Sequence, residues 1–147
     1  MRLTLHSDYA LRTLMYAALN PDRLVTITEI AERYGISRNH LMRVVQGLAG
    51  HGFLDTVRGK GGGMRLLRPA STIVIGDVVR QMEPDLAVAE CFGSSNACRL
   101  TPDCVLRGAL GEAMEGFLAA LDRYTLADLV VPADRLRARL GLEPLQG

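Results

Sequence analysis

The chain has no tryptophan, aromatics make up 5% of its 147 residues, and Lys60 is its only lysine, so nearly all of its positive charge is arginine. Long hydrophobic runs are missing as well. No stretch approaches the ~18 consecutive apolar residues that a membrane-spanning helix needs. Met1 to Asp8 contain neither an apolar core nor a small-residue cleavage site for export, so the cytoplasm is the expected compartment. Thiols stay reduced there, and three cysteines, an odd number, cannot close into a disulfide framework. Catalytic constellations are absent too: there is no Ser-His-Asp set, no paired carboxylates and no Gly-x-x-x-x-Gly-Lys-Ser/Thr phosphate loop. An enzyme is not expected. Neither an internal repeat nor a low-complexity tract interrupts the sequence.

What is present suits a small globular protein. Hydrophobic residues reach 48% and charged residues 22%, and the length fits one domain, or one domain with an appended helix. The formal net charge of +1 conceals a division. Between positions 33 and 68 the chain carries Arg33, Arg38, Arg43, Arg58, Lys60, Arg65 and Arg68 against a single acid, Asp55, a net +6 that leaves −5 for the remainder. A basic segment in an otherwise acidic protein suits a polyanion, whose phosphates release counterions when neutralised. An ordinary solvated surface is the other reading of charge clustering alone.

Apolar residues at 11, 14, 15, 18 and 19 follow Ser7 and Asp8 and stop at Asn20-Pro21, which predicts a helix over 9–19. Thr26 with Glu29 three residues on is a capping-box pattern for a second helix, from Ile27 to about Tyr34, closed by Gly35. Ser37 caps a third, Arg38 to about Ala49, with Leu41, Val44, Val45 and Leu48 on its core face. Two helices joined through Gly35 and Ile36 read as a helix-turn-helix. Residues 53–57 and 64–68 read as strands around the glycine-rich tip 58–63. A helix-turn-helix followed by a basic hairpin is the winged-helix layout. A fourth helix spans 75 to about 82, and a loop over 83–102 holds two cysteines. A long helix is then expected to open with Thr101 as N-cap and Pro102 and Asp103 in its first turn. Its apolar stripe is Leu106, Leu110, Ala113, Met114, Phe117, Leu121 and Tyr124. Thr125 and Asp128 start a further short helix, and the Arg-rich tail from Pro132 reads as peripheral.

The expected fold class is mostly α with a small β-hairpin wing. It comprises a winged helix-turn-helix domain over 1–82, a cysteine-bearing loop over 83–104, a dimerisation helix over 103–125, and a short helix and tail over 126–147. A helix this long on so small a domain either lies back across it or pairs with a second copy. Symmetric dimers are how helix-turn-helix proteins read two half-sites, so a homodimer on a pseudo-palindromic double-stranded operator is the expectation.

Base edges in the major groove call for short polar and forked basic side chains at the start of the recognition helix. Here that start reads Ser37, Arg38, Asn39 and His40, with Arg43 one turn on. Arg binds guanine and Asn binds adenine bidentately, each discriminating by about 1–3 kcal/mol. His40 suits a phosphate contact or plain surface equally. On the wing, Arg58, Lys60 and Arg65 supply charge, while Gly61, Gly62 and Gly63 let the backbone approach a sugar–phosphate edge or the minor groove.

Cys91, Cys98 and Cys104 are separated by six and five residues, wide for structural zinc and unlike the common ferredoxin spacings. Spacing alone leaves free thiols and a metal or redox role both open. Cys91 and Cys98 lie in a Gly/Ser/Asn-rich loop rather than on an apolar helical face. Cys104 falls in the expected first turn of the long helix, where the dipole favours thiolate.

Several stretches together resemble the IscR/NsrR group of winged-helix iron–sulfur regulators, and within it the nitric-oxide-sensing NsrR repressors. They are Leu3-Thr4 with Asp8-Tyr9-Ala10-Leu11-Arg12, Tyr34-Gly35-Ile36-Ser37-Arg38-Asn39-His40, Val57-Arg58-Gly59-Lys60-Gly61-Gly62-Gly63, Ile75-Gly76-Asp77-Val78-Val79-Arg80, Cys98-Arg99-Leu100-Thr101-Pro102-Asp103-Cys104 and Tyr124-Thr125-Leu126-Ala127-Asp128-Leu129. They span the chain up to its C-terminal tail. The resemblance implies a DNA-binding homodimeric repressor in which Cys91, Cys98 and Cys104 ligate a [4Fe–4S] cluster and Asp8 of the partner subunit is the fourth ligand. Nitrosylation of that cluster would release operator DNA. Without the resemblance Asp8 is an ordinary helix N-terminal residue. A [2Fe–2S] cluster with histidine in its ligand set, to which His6 or His40 could contribute, or a thiol-based sensor of redox or iron–sulfur status, is the alternative.

Overall fold

The computed structural model describes residues 1–146. The first helix, α1, runs Leu5–Ala18, one turn earlier than its apolar spacing predicts. Thr4, Ser7 and Asp8 are all competent caps by type, and a distant residue decides between them. The Glu83 carboxylate accepts from the Thr4 amide at 3.2 Å, from Thr4 Oγ1 at 3.1 Å and from Ser7 Oγ. Thr4 is thereby the N-cap, and its hydroxyl receives the Ser7 amide at 3.3 Å. Ser7 is buried and Asp8 sits in the first turn.

Helix α2 (Ile27–Tyr34) carries the expected capping box, with Glu29 N on Thr26 Oγ1 at 3.2 Å and Thr26 N on Glu29 Oε2 at 3.1 Å. It ends on Gly35 at φ 66°, a left-handed conformation that glycine adopts without a Cβ penalty. Helix α3 (Arg38–Gly50) follows, and Ser37 Oγ accepts from the His40 amide at 3.4 Å. Its face Leu41, Val44, Val45 and Leu48 is buried with Leu14, Tyr16 and Ile30. Fully burying each such side chain stabilises by roughly 1.5–3 kcal/mol.

Strands β1 (Leu54–Val57) and β2 (Gly63–Leu66) pair antiparallel, with Leu54 opposite Leu66 and Val57 opposite Gly63. The ladder is offset from the expected 53–57 and 64–68. The Phe53 amide donates back to Leu48 O at 2.9 Å, and beyond Leu66 only Leu67 N still reaches across, to Phe53 O at 3.1 Å. Val25 exchanges two backbone bonds with Met64 (2.9 and 2.8 Å), which ties the wing to the turn before α2.

Helix α4 (Ile75–Met82) keeps its predicted bounds. The long helix α5 is Val105–Asp122, and here the expected start fails. Thr101–Asp103 forms a separate 3-10 turn. The Thr101 hydroxyl donates to Cys98 O and accepts from Asn96 Nδ2, both at 2.9 Å, so it is not available to cap a helix. Cys104 takes the N-cap instead, its Sγ accepting from Arg107 N at 3.4 Å. Helix α6 (Leu126–Leu129) opens on a Thr125/Asp128 capping box, and α7 spans Ala133–Arg139.

The C-terminal tail is not peripheral. Arg137, 7% exposed, donates to Leu19 O, to Asn20 Oδ1 at 3.4 Å and to Glu143 O at 2.6 Å. Leu126 lies fully inside the core, with Leu129, Leu140 and Leu142 packed against it. The fold class stands as read: mostly helical, with one two-stranded hairpin among the described residues. Among the described residues no helix is long and apolar enough to cross a membrane.

Candidate functional site

The basic face is built from the start of α3 and the wing. Arg38, Asn39 and Arg43 are exposed, and among the described residues no ion pair or side-chain hydrogen bond engages them. Two expected contributors also serve the fold. Ser37 Oγ serves as the cap of α3. The half-buried His40 ring stacks 6.2 Å from His6 and meets the edge of Tyr9 at 4.8 Å, which ties the recognition helix to α1. Burial, followed by the neighbouring His40 and Arg43, holds the His6 pKa below its ordinary value against the pull of Glu83.

On the wing, Arg58, Lys60 and Gly61 stand exposed at the tip. Gly62 is half-buried, and a Cβ there would lie 2.2 Å from Val57 O, so the turn closes only with glycine at this position. Arg65 pairs with Asp55 directly across the ladder, Nη2 to Oδ2 at 3.0 Å, so its charge is partly compensated.

The second feature is the cysteine loop. Cys91 and Cys104 are half-buried, Cys98 is exposed, and all three are free. Cys91 lies in a 3-10 turn, Glu90–Phe92. Arg107, which sequence reasoning passed over, joins two of them. Its amide donates to Cys104 Sγ, its Nε donates to Cys91 O at 3.3 Å, and its guanidinium lies 5.1 Å over the Phe92 ring. The available signal was its place three residues after a cysteine that caps a helix. Elsewhere Glu90 Oε1 accepts from Ala97 N at 2.9 Å, which folds the loop back on itself.

Asp8 is engaged within its own chain, where Arg12 donates to it bidentately at 3.2 and 2.9 Å. Among the described residues no three His, Cys, Asp or Glu side chains gather about one point, as a single ion would require; a cluster distributes its ligands over separate irons. Three free thiols on one folded loop match the soft donor set that iron–sulfur clusters take.

Helix α5 contributes no buried residue to the isolated chain. Val105 and Leu106 are 86% and 64% exposed. Further along, Met114, Phe117 and Leu121 line an open groove of about 580 Å³ shared with Leu3, Leu11 and Val79.

Known proteins frame this arrangement. The chain resembles the structure of T. potens IscR at 24% identity and TM-score 0.74, over 100% of this chain and 94% of that one. It also resembles CymR, the global cysteine regulator of B. subtilis, at 21% identity and TM-score 0.69, over 88% and 95%. The oxidized form of Staphylococcus aureus CymR matches at 24% identity and TM-score 0.71, over 89% and 97%. At these identities the likeness establishes the winged-helix fold. The sequence profile of the Rrf2 family, described as iron-dependent transcriptional regulators, matches residues 3–132. This chain belongs to the Rrf2 family and is a DNA-binding transcriptional regulator rather than an enzyme.

Proposed function

We propose that the protein is a cytoplasmic homodimeric repressor that senses nitric oxide through a [4Fe–4S] cluster held by Cys91, Cys98 and Cys104, with Asp8 of the partner subunit as fourth ligand. The carrying observation is the set of three free thiols on one pre-folded loop, in a family described as iron-dependent. When bound, the cluster supplies irons that react with nitric oxide, and a carboxylate ligand leaves one of them more labile than thiolate would. The chain's own residues do the rest. Arg107 holds Cys91 and Cys104 in one loop, and Arg38, Asn39 and Arg43 face base edges while Arg58 and Lys60 face phosphate. The dimer reading is supported by α5, whose first turn leaves two large apolar side chains in water.

Anaerobic purification with iron and sulfide counts, followed by nitric oxide titration of operator binding, tests the reading. About four irons and four sulfides per chain are expected, with operator affinity lost on exposure to nitric oxide. About two irons would establish the [2Fe–2S] alternative, and none would leave a thiol-based regulator. One observation bears on those alternatives: Asp8 already holds Arg12, so an iron would have to share its carboxylate with that guanidinium. A mixed dimer of Asp8→Ala and Cys98→Ala chains decides the point. Cross-subunit ligation leaves one complete site, whereas ligation within a chain leaves none.

A further inference from the structure

We propose that Gly76, Arg80 and Asp122 form a clasp that fixes the direction in which α5 leaves the winged-helix body, and so sets the half-site spacing that the dimer accepts. The inference rests on the dimer reading above. Arg80 Nη1 and Nη2 each meet one Asp122 carboxylate oxygen at 2.7 Å, a fork-on-fork pair that constrains angle as well as distance. Nη1 also reaches Asp77 Oδ1 at 3.2 Å. The pair fits because position 76 has no side chain: a Cβ there would lie 1.8 Å from Asp122 Oδ1. The backbone closes the same joint. Ile75 N donates to Tyr124 O at 2.9 Å and Leu126 N to Ile73 O at 2.8 Å, an isolated bridge between Val74 and Thr125.

Orientation, not stability, is the role this arrangement suits. The pair stands in solvent, where ion pairs add little to folding. Helix α5 has no fully buried side chain in its own chain; apart from the backbone bridge it leans on the body through half-buried residues such as Leu121, contacts that allow sliding more readily than a forked ion pair does. Its 18 residues make a lever of about 27 Å. A tilt of about 10° at the joint displaces the far end by roughly 5 Å, more than the ~3.4 Å rise of one base pair.

The test uses the full-length protein and duplexes derived from a site selected on the wild type, with half-site separation varied by one and two base pairs around about one helical turn. Asp122→Asn removes the charge and Gly76→Ala displaces the carboxylate by steric contact. Both variants should stay dimeric by sedimentation and bind a single half-site as the wild type does. The penalty for a mis-spaced operator should fall by about three- to tenfold in each. Adding Gly76→Ala to Asp122→Ala should change little further, because the carboxylate it would strike is gone and the one other close atom, Arg80 Nη1 at 2.9 Å, is the free end of a flexible side chain. An unchanged spacing penalty in dimeric Asp122→Asn overturns the clasp. A wild-type protein that sediments as a monomer on and off DNA overturns the dimer reading itself, a different and recognisable result.

Discussion

Replacing Lys60 with alanine removes a cation that stands at the wing tip with no partner among the described residues, so no internal interaction is lost with it. Each phosphate contact contributes about 0.9 to the slope of log affinity against log salt, and a dimer without both lysines should be shallower by about 1.8. Between 50 and 200 mM salt the advantage of wild type over the variant should therefore shrink by about tenfold. The loss should be alike on a selected operator and on a random duplex of equal length, because phosphate carries no sequence. Arg65→Ala provides the internal contrast. Asp55 already sits 3.0 Å from that guanidinium, so the slope should change clearly less, while removal uncovers a carboxylate beside the DNA. Fluorescence anisotropy titrations across the salt range measure both. Equal slope changes for the two variants, or a Lys60→Ala loss confined to the operator, would refute this placement of the wing.

Other expectations can be checked as directly. Leu106→Glu costs the isolated chain little, since the side chain is 64% exposed, yet it should yield monomers by sedimentation if a partner covers that turn, through burial of an unpaired charge. Arg137→Ala should lower stability in urea denaturation by about 2 kcal/mol, because the Leu19 carbonyl and Asn20 lose a charged donor in a buried setting. Glu29 predicts acid sensitivity. Burial raises its pKa, but Arg23, the Thr26 amide and Tyr16 together outweigh that and hold it below 4.5. Its contribution is complete above that value and is lost as pH falls through the depressed one, so urea midpoints should fall below pH 4.5 for wild type and less steeply for Glu29→Gln.

Elements whose signals are local were legible in the sequence. Thr26 and Glu29 lie three residues apart and cap α2 as read, and Thr125 with Asp128 does the same for α6. The apolar spacing of α4 returned its bounds. Elements decided at a distance were not legible. Glu83 reaches Thr4 across 79 positions, and no window along the chain contains both. Thr101 has the composition of a cap, but its hydroxyl is committed to Cys98 and Asn96. Arg137 reads as tail charge because only the folded chain brings it to the end of α1. In the candidate site, the exposed residues of the basic segment were visible as charge. The compensation of Arg65, the stacking of His40 and the hub at Arg107 all depend on contacts between separate elements.

The core that holds the recognition helix has a consequence for how the protein is made. Leu126 is fully buried in the core, on a short helix packed against α1 and the 3-10 turn Ala70–Thr72, and Arg137 reaches the carbonyl of Leu19 from beyond it. During synthesis the first half of the chain emerges without these pieces, so its core stays open at that end until the residues past α5 have left the ribosome. Helix α5 is therefore synthesised before the core beneath the basic face is complete.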